Sequence, residues 1–267
     1  MRRTLLLALL LLGMAASIHA ADTKSVLPLA VGNRWEYSIY MVGVTSVGEG
    51  EDSQSAYTEG DGSCTEEVTA VNERRKNGDV VYEMRSTTNA AYETGADPKE
   101  TITDTRLLAS KAGIFMLASK ANGLNGILTD EWQEYDPPLV LYGSDVKPGK
   151  KWKVGTIRDG GLTLPTQVSV AGKETVTVPA GTFKDCLKLH VICNKVAGSM
   201  GEGDDKVIIK SGKSLNTVWI YPGVGTVKED TILQAKMLFP ATDTRPELLM
   251  TGTQRKIREL QSRYKVD

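Results

Sequence analysis

The sequence predicts an all-β protein, a single domain built as an antiparallel sandwich or as a strongly curved half-barrel. Turn residues recur roughly every eight to twelve positions, which is the spacing of such folds. Between the turns, apolar and polar residues alternate with the period of two that a half-buried strand requires. No long segment combines a helical period with good caps. The 267 residues suit one large β-domain.

The start of the chain has the features of an export leader. A basic start, Met1-Arg2-Arg3, precedes the leucine-rich apolar run Thr4–Ala16, and small residues follow before the polar sequence begins at Asp22. This order predicts a signal peptide over residues 1–20 and a β-domain over residues 21–267. The apolar run is too short to span a bilayer, which takes about 20 apolar residues. The domain is therefore expected to be periplasmic or secreted, with no membrane span after the leader is removed.

The charge balance excludes some classes of partner. The chain carries 32 Lys+Arg against 33 Asp+Glu, a formal net charge of −1. Nucleic-acid binding needs a basic face, and adsorption to anionic membranes needs a basic surface. The sequence therefore predicts neither partner.

Two hairpins are predicted in the first half of the domain. Asn77-Gly78 is a turn of the type I′ kind, because both residues tolerate positive φ. It joins Glu66–Arg75 to Val80–Thr87. A second hairpin joins Thr103–Ala109 to Ile114–Ser119 through the turn Lys111-Ala112-Gly113.

Proline–glycine pairs mark turns in the second half. Pro148-Gly149 and Pro222-Gly223 suit type II turns, since proline presets φ and glycine supplies the positive φ. In Val178-Pro179-Ala180-Gly181 the glycine comes one place later, which favours type I. The neighbouring segments alternate as strands do, with these residues predicted on buried faces: Val168, Val170, Val176, Val178, Leu187, Leu189, Val191, Leu233, Ala235, Met237 and Phe239.

Three further segments complete the organisation of the chain. Residues 246–264 are predicted as a terminal strand in preference to a helix, because Thr251-Gly252-Thr253 interrupts the helical stripe. Val42–Gly62 is poor in apolar residues and rich in Gly, Ser, Glu and Asp, which predicts a mobile acidic loop near residues 42–63. Ala197–Asp205 has a similar composition and is also predicted as a loop.

The cysteines and histidines limit the chemistry. Cys186 and Cys193 are seven apart in one predicted strand, so they are expected on opposite faces and not paired with each other. Cys64 could pair with either, although buried free thiols are the favoured interpretation. His190 is the only histidine after the leader, which excludes a zinc site with several histidines. Cys186 and His190 are about 13 Å apart along an extended strand, too far for a nucleophile–base pair.

No metal, cofactor or enzymatic activity is predicted. One run of carboxylates could supply oxygen ligands to calcium, but its spacing is irregular, and a solvated loop is favoured. The run comprises Glu49, Glu51, Asp52, Glu59, Asp61, Glu66 and Glu67.

Aromatic residues are the remaining candidates for contacts. Trp35 and Trp219 are predicted in the core. Trp132 has polar neighbours and is the best candidate for a ligand or partner contact, together with Tyr135 and Tyr142.

Three patches carry a resemblance. The first contains Gly32, Trp35 and Tyr37 in the pattern P-L-x-x-G-x-x-W-x-Y. The second and third read V-P-A-G-T-F and W-x-x-P-G-V-G-x-V-K, and their marked residues are Pro179, Gly181, Phe183, Trp219, Pro222, Gly223 and Gly225. In this order and spacing the chain resembles a broad group of secreted bacterial β-proteins of unassigned function. That group is similar to the half-barrels of the bacterial lipoprotein carriers, which implies a curved antiparallel sheet with a concave face.

The sequence therefore predicts an exported, non-enzymatic binding or carrier module with an apolar or lipid-like ligand on the concave face. The alternative is a structural or interaction protein of the bacterial envelope that meets another envelope protein through a sheet edge or exposed aromatic residues. A large apolar concavity would favour the first function. A filled interior with an exposed apolar patch would favour the second.

Overall fold

A computed structural model describes residues 27–48, 54–91, 95–123, 131–159, 161–200, 203, 206–243, 246–262 and 264–266. The predicted signal peptide lies outside these residues. Among them, no helix is long and apolar enough to cross a membrane.

The fold is a single all-β domain, as the sequence predicts, and the described residues contain no α-helix. All strand pairs are antiparallel. The strands are β1 (Arg34–Val47), β2 (Gln54–Arg74), β3 (Val80–Ala90), β4 (Lys99–Ser110), β5 (Gly113–Gly123), β6 (Gln133–Gly143), β7 (Lys151–Asp159), β8 (Leu162–Val178), β9 (Gly181–Cys193), β10 (Ala197–Met200), β11 (Val207–Tyr221), β12 (Gly225–Phe239) and β13 (Leu248–Leu260).

The strands form one sheet in the order β10-β8-β9-β11-β12-β13-β1-β2-β3-β4-β5-β6, and β7 pairs with β8 at one end. The first and last strands are neighbours in the middle of this sheet. Tyr37 of β1 pairs with Leu260 of β13 on one side and with Cys64 of β2 on the other. The first and last strands are therefore hydrogen-bonded to each other at the centre of the sheet.

The sheet is strongly curved, because strands from its opposite ends contact each other. The indole Nε1 of Trp152 on β7 donates to the backbone oxygens of Val140 and Leu141 on β6, at 3.1 and 3.2 Å. In the described part of the chain no ladder joins β6 to β7. Curvature brings the inner faces of nearly all strands into one apolar core. The architecture is thus one curved sheet and not a sandwich of two.

Period-two alternation places the core side chains as predicted. The apolar positions of β8, β9 and β12 named in the sequence analysis are all buried. Residues 248–260 form a strand, which confirms the preferred interpretation of the C-terminal segment.

Both proline–glycine turns have the predicted geometry. Gly149 and Gly223 have φ values of 85° and 86°. Lys150 N donates to Lys147 O at 3.1 Å, and Val224 N donates to Tyr221 O at 3.0 Å. These are the hydrogen bonds that close a type II turn around Pro148-Gly149 and Pro222-Gly223.

The hairpin at Asn77-Gly78 forms, but the predicted turn type is wrong. Gly78 has a φ of 90°, whereas Asn77 does not have positive φ. Gly78 N donates to Arg75 O at 3.0 Å, and Arg75 N donates to Asp79 O at 2.8 Å. The connection therefore has three residues, with a type I turn followed by a glycine in the left-handed region. The second hairpin turns at Lys111-Ala112 as expected.

The prediction of a loop over Val42–Gly62 is wrong for residues 42–47 and 54–62, and residues 49–53 lie outside the described residues. Residues 42–47 continue β1, and residues 54–62 are the first part of β2, with an unbroken register from Val47↔Gln54 to Ile39↔Gly62. The low apolar content predicted a loop, but β13 pairs with the other side of β1 as far as Val47↔Met250. Ladder hydrogen bonds on both sides hold β1 without a large apolar content. The second predicted loop also contains a short strand, β10.

The backbone of β9 is irregular at Asp185, just before Cys186. Asp185 has a φ of 61°, and the β8–β9 register shifts beside it. Cys186 and Leu187 are consecutive and both buried, and burial alternates regularly from Leu187 to Cys193. The irregularity does not lie between the two cysteines, so their placement on opposite faces stays a prediction. Cys64, Cys186 and Cys193 are buried free cysteines, which confirms the favoured interpretation. Burial raises the pKa of the Cys186 thiol to about 11.

The strained backbone at Asp185 gives a testable expectation. Asp185 is exposed, so a substitution there changes backbone energy more than packing. We expect Asp185→Gly to be more stable than Asp185→Ala by about 1 kcal/mol, since alanine is disfavoured at positive φ. Urea denaturation measures the difference. At the neighbouring exposed Lys184, which does not have positive φ, the order should reverse, and the same order at both positions would contradict the argument.

Candidate functional site: a buried charged cluster inside the curved sheet

Three charged side chains that contact one another occupy core positions. Glu66, Glu229 and Arg258 are 0 %, 2 % and 3 % exposed. Arg258 Nη1 lies 2.5 Å from Glu66 Oε1, and Arg258 Nε lies 3.0 Å from Glu229 Oε2. We call these three residues the buried charged cluster. Burying a charge costs free energy unless it is paired, and here one guanidinium pairs with both carboxylates.

Strand alternation brings the three residues together. Glu229 belongs to the buried positions of β12 and pairs directly with Arg258 of β13. Glu66 lies between Cys64 and Val68 on the buried face of β2, across β1 from Arg258. The cluster therefore depends on four adjacent strands, and on β13 pairing with β1 at the centre of the sheet.

The surroundings of Arg258 keep it charged. Burial lowers the pKa of its guanidinium, but Glu229 and Glu66 more than offset this, so the pKa stays well above its ordinary value. The guanidinium carbon lies 4.1 Å from the centre of the Tyr37 ring, within cation–π range. Arg258 Nη1 also approaches Cys64 Sγ at 3.7 Å.

Several polar atoms at this place have no hydrogen-bond partner in the described part of the protein. They include Arg258 Nη2, Glu229 Oε1 and the hydroxyl of Tyr142, which is fully buried on β6. Burial raises the pKa of the Tyr142 phenol well above its usual value, and the charges of Glu229 and Glu66 add to the rise. The Tyr142 hydroxyl is therefore protonated and interacts electrostatically with the cluster. It lies on β6, the last strand in the order of the sheet.

Lys256 adds a second cation on the interior side. It is two residues before Arg258 on the same face of β13, is half-buried, and pairs with Met41 of β1. Burial lowers the pKa of its ammonium group, against the attraction of Glu229. With Lys256 included, the formal charges of the interior polar groups cancel.

The predicted contact residues do not form one surface. Trp132 is half-buried just before β6, and its ring is covered by Arg106, whose guanidinium carbon lies 3.9 Å from the ring centre. Tyr135 is 8 % exposed, and its hydroxyl lies 3.0 Å from Ser119 Oγ. Tyr142 lies inside the sheet beside Trp152. The charges of Glu229 and Glu66 raise the pKa of the Tyr142 phenol, which links Tyr142 electrostatically to the buried charged cluster.

The three sequence patches pack against one another. Trp35 is fully buried and donates its indole N–H to the backbone oxygen of Val224. Gly225 has a φ of 102°, which favours glycine, and it packs against the indole of Trp35, whose Nε1 would lie 3.5 Å from a Cβ at this position. Tyr37 donates its hydroxyl to Thr226 O at 3.2 Å. The first and third patches thus form one structural unit.

The second patch joins this unit through its aromatic residue. The rings of Phe183 and Tyr221 are 5.3 Å apart. Gly32 and Gly181 both have positive φ. Trp219, predicted in the core, is only half-buried and donates to Glu174 Oε2 at 3.2 Å, so that prediction is wrong for Trp219 and confirmed for Trp35.

Of the acidic run in the sequence, Glu49, Glu51 and Asp52 lie outside the described residues, and the other four carboxylates do not lie in one place. Glu59 and Asp61 are exposed, whereas Glu66 is buried in the charged cluster. Within the described ranges, no group of three His, Cys, Asp or Glu side chains is arranged to hold a metal ion.

The sequence analysis missed Glu66, Glu229 and Arg258 as interior residues, although a signal for them exists. Each stands where the local period of two requires an apolar residue: Glu66 between Cys64 and Val68, and Arg258 before Leu260. A charged residue at a position that alternates with buried apolar residues indicates either that the strand lies at the surface or that the charge belongs to a buried ion pair. Only the register between strands distinguishes the two.

Comparisons with known proteins give distant likenesses. No protein-family profile matches the chain, and no curated protein matches its sequence. A Bacteroides fragilis protein described as exported, with a YmcC-like fold, is 12 % identical over 90 % of this chain and 100 % of its own, at a TM-score of 0.31. DynF from the dynemicin biosynthesis pathway of Micromonospora chersina is 7 % identical over 86 % of this chain and 82 % of its own, at a TM-score of 0.27.

An outer membrane channel from Pseudomonas putida F1 is 10 % identical over 90 % of this chain and 99 % of its own, at a TM-score of 0.24. Likenesses at these TM-scores carry no functional implication. The function has to be argued from the residues of this chain.

Proposed function

We propose that this protein is an exported, non-enzymatic binding module that works in the periplasm or outside the cell. Its ligand binds inside the curved sheet, with a polar group at the buried charged cluster and an apolar body against the core. The leader of the sequence supports export. The interior supports binding, because it combines an apolar lining with polar atoms that lack partners.

One observation carries the proposal: Arg258 Nη2, Glu229 Oε1 and the Tyr142 hydroxyl are buried without hydrogen-bond partners in the described part of the chain. Each such group costs about 1–3 kcal/mol when it is left unsatisfied. A buried tyrosine hydroxyl ordinarily finds a partner. A ligand group that satisfies these atoms would recover that free energy.

The atoms define the chemistry of the ligand's polar group. Arg258 Nη2 donates, Glu229 Oε1 accepts, and Tyr142 can do either. The formal charges of Arg258, Lys256, Glu66 and Glu229 cancel, so a neutral group that both donates and accepts, such as an amide or a hydroxyl, fits best. Ile39 and Met41 are the inner-face partners of Arg258 and Lys256 on β1, and the flexible methionine suits an apolar chain.

The arrangement supports binding more than catalysis. Both carboxylates of the cluster are held by the same guanidinium, so neither is placed as a separate general acid or base. His190 is on β9, where it pairs with Thr217 and Ser169 and not with residues of the cluster.

The test uses Tyr142→Phe, which removes only the hydroxyl. We expect the free energy of unfolding without ligand to stay within about 0.5 kcal/mol or to rise, because an unsatisfied group disappears. The affinity for a long-chain fatty amide should fall about fivefold, as the loss of one hydrogen bond predicts. Calorimetry and native mass spectrometry measure binding, and urea denaturation measures stability.

Two controls sharpen the result. Tyr135→Phe breaks the contact with Ser119 Oγ and should lower stability while leaving affinity unchanged. The N,N-dimethyl form of the same amide cannot donate to Glu229 Oε1 and should bind more weakly than the parent amide. If the wild-type protein binds neither amide, or if Tyr142→Phe costs stability and not affinity, the polar atoms serve the fold and the proposal fails.

An envelope interaction protein is the second candidate function. Several large apolar side chains are exposed on neighbouring strands, namely Tyr40, Val44, Tyr57, Leu215 and Ile232. They belong to β2, β1, β12 and β11, and Val44 pairs directly with Tyr57. An exposed apolar surface of this kind favours contact with another protein.

A further inference from the structure

Among the residues that the structure describes, the first part of β2 forms an open sheet edge. Its ladder to β1 begins at Gln54, but its ladder to β3 begins only at Gly62, which pairs with Ala90. In the described part of the chain, residues 54–60 therefore have a strand on one side only. We call this segment the β2 edge. Open edges pair with added strands, and proteins usually protect them.

The direction of the backbone groups follows from one hydrogen bond. Ala91 N donates to Asp61 O at 2.9 Å, so the backbone of Asp61 faces away from β1. Backbone direction alternates along a strand, and the N–H and C=O of one residue point to the same side. Ser55 and Tyr57 therefore direct both backbone groups to the open side.

The β2 edge is acidic and aromatic. Between Arg34 and Arg74 the chain has no lysine or arginine, although it carries 32 Lys+Arg in all. Glu59 and Asp61 are exposed on the same face as Tyr57, whose side chain is 64 % exposed. Tyr40 donates its hydroxyl to Glu59 Oε1 at 2.8 Å beside them. Carboxylates and aromatic faces together attract cations.

We propose that the β2 edge binds an extended basic segment of another protein as an added antiparallel strand. Its backbone pairs with Ser55 and Tyr57. A residue directly opposite Tyr57 lies on the same face as Tyr57, and the next residue on that face lies two positions along. The partner therefore carries Lys or Arg at alternate positions, opposite Tyr57 and Glu59. This surface does not depend on a ligand in the interior.

A second copy of the chain fits the β2 edge poorly. Antiparallel pairing of two such edges would bring together two segments that contain acidic residues and no basic ones. Like charges across a ladder are destabilising. Charge complementarity thus selects a cationic partner.

The test uses a fluorescein-labelled peptide of about eight residues, enough for one strand, in which arginine alternates with threonine. The full-length protein should bind it, as measured by fluorescence anisotropy, and should not bind the peptide with glutamate in place of arginine. Tyr57→Pro removes the central backbone donor and should weaken binding about tenfold relative to Tyr57→Ala, which keeps it. Proline is tolerated on an edge strand, so both variants should unfold at similar temperatures.

Glu59→Gln is a second variant in case Tyr57→Pro does not fold. It keeps the shape of the side chain and removes one charge, and it should weaken binding at low salt more than at high salt. The proposal is overturned if Tyr57→Pro and Tyr57→Ala bind the arginine peptide equally, or if the glutamate peptide binds as well. It is also overturned if the wild type is a dimer in sedimentation that Tyr57→Pro makes monomeric, since the occupant would then be a second copy.

Discussion

Replacing Arg258 with methionine is expected to lower the free energy of unfolding by about 3–5 kcal/mol, the usual cost of removing one partner of a buried ion pair. The substitution leaves Glu66 and Glu229 buried without the guanidinium that pairs with both. Packing changes little, because methionine keeps much of the aliphatic length. The loss is therefore electrostatic, and urea denaturation followed by circular dichroism measures it.

The control for Arg258→Met is a triple variant. Adding Glu66→Leu and Glu229→Leu removes the unpaired carboxylates as well, and apolar replacement of a whole buried ionic group is often neutral or stabilising. We expect the triple variant to regain most of the lost stability and to lose affinity for the fatty amide. A stable Arg258→Met protein would show that the carboxylates reach water. A triple variant that still binds the amide would remove the cluster from the ligand site.

Truncating Trp35 is the second large effect. Trp35 is fully buried and donates to Val224 O, so Trp35→Ala should cost about 3–5 kcal/mol through the cavity that it leaves. The indole also fixes the contact between the first strand and the turn before β12, so the loss extends to the middle of the sheet. Thermal and urea unfolding both measure it.

Trp219 provides the matched control. It belongs to the same set of sequence patches but is half-buried at the margin of the core. Trp219→Ala should cost about 1 kcal/mol, close to the average for a substitution. Equal losses for the two tryptophans would contradict the assignment of Trp35 to the core and Trp219 to its margin.

Most of the sheet could be predicted from local patterns, because strands and turns have short-range signals. The alternation of Leu187, Leu189 and Val191 fixed the buried face of β9, and Pro222-Gly223 fixed a turn before β12. These features depend on residues within a few positions of one another. The structure confirms them because no distant contact competes with the local preference.

The β1–β2 hairpin could not be predicted in the same way. Residues 42–62 have too little apolar content to indicate a strand, and their extended conformation depends on β13, about two hundred residues later in the chain. β13 runs antiparallel to β1, so that Thr45 pairs with Gly252. Only that long-range register explains why a polar, glycine-containing segment is a strand.

The candidate site was hidden for a related reason. Glu66 is one of several carboxylates in its stretch of sequence, and its neighbour Glu67 is half-buried at the surface. The two differ because Glu66 lies on the buried face of β2, where Arg258 of β13 pairs with it, whereas Glu67 lies on the other face. The sequence predicts Tyr142 as a contact residue, but its place inside the sheet depends on curvature, which no local pattern encodes.

The central position of β13 between β12 and β1 also determines when the molecule can fold. Until β13 leaves the ribosome, the middle of the sheet has a gap, and β1 has no neighbour on one side. Contacts between such distant parts of a chain form slowly. A polypeptide made in this order can close its sheet only after β13 has been synthesised.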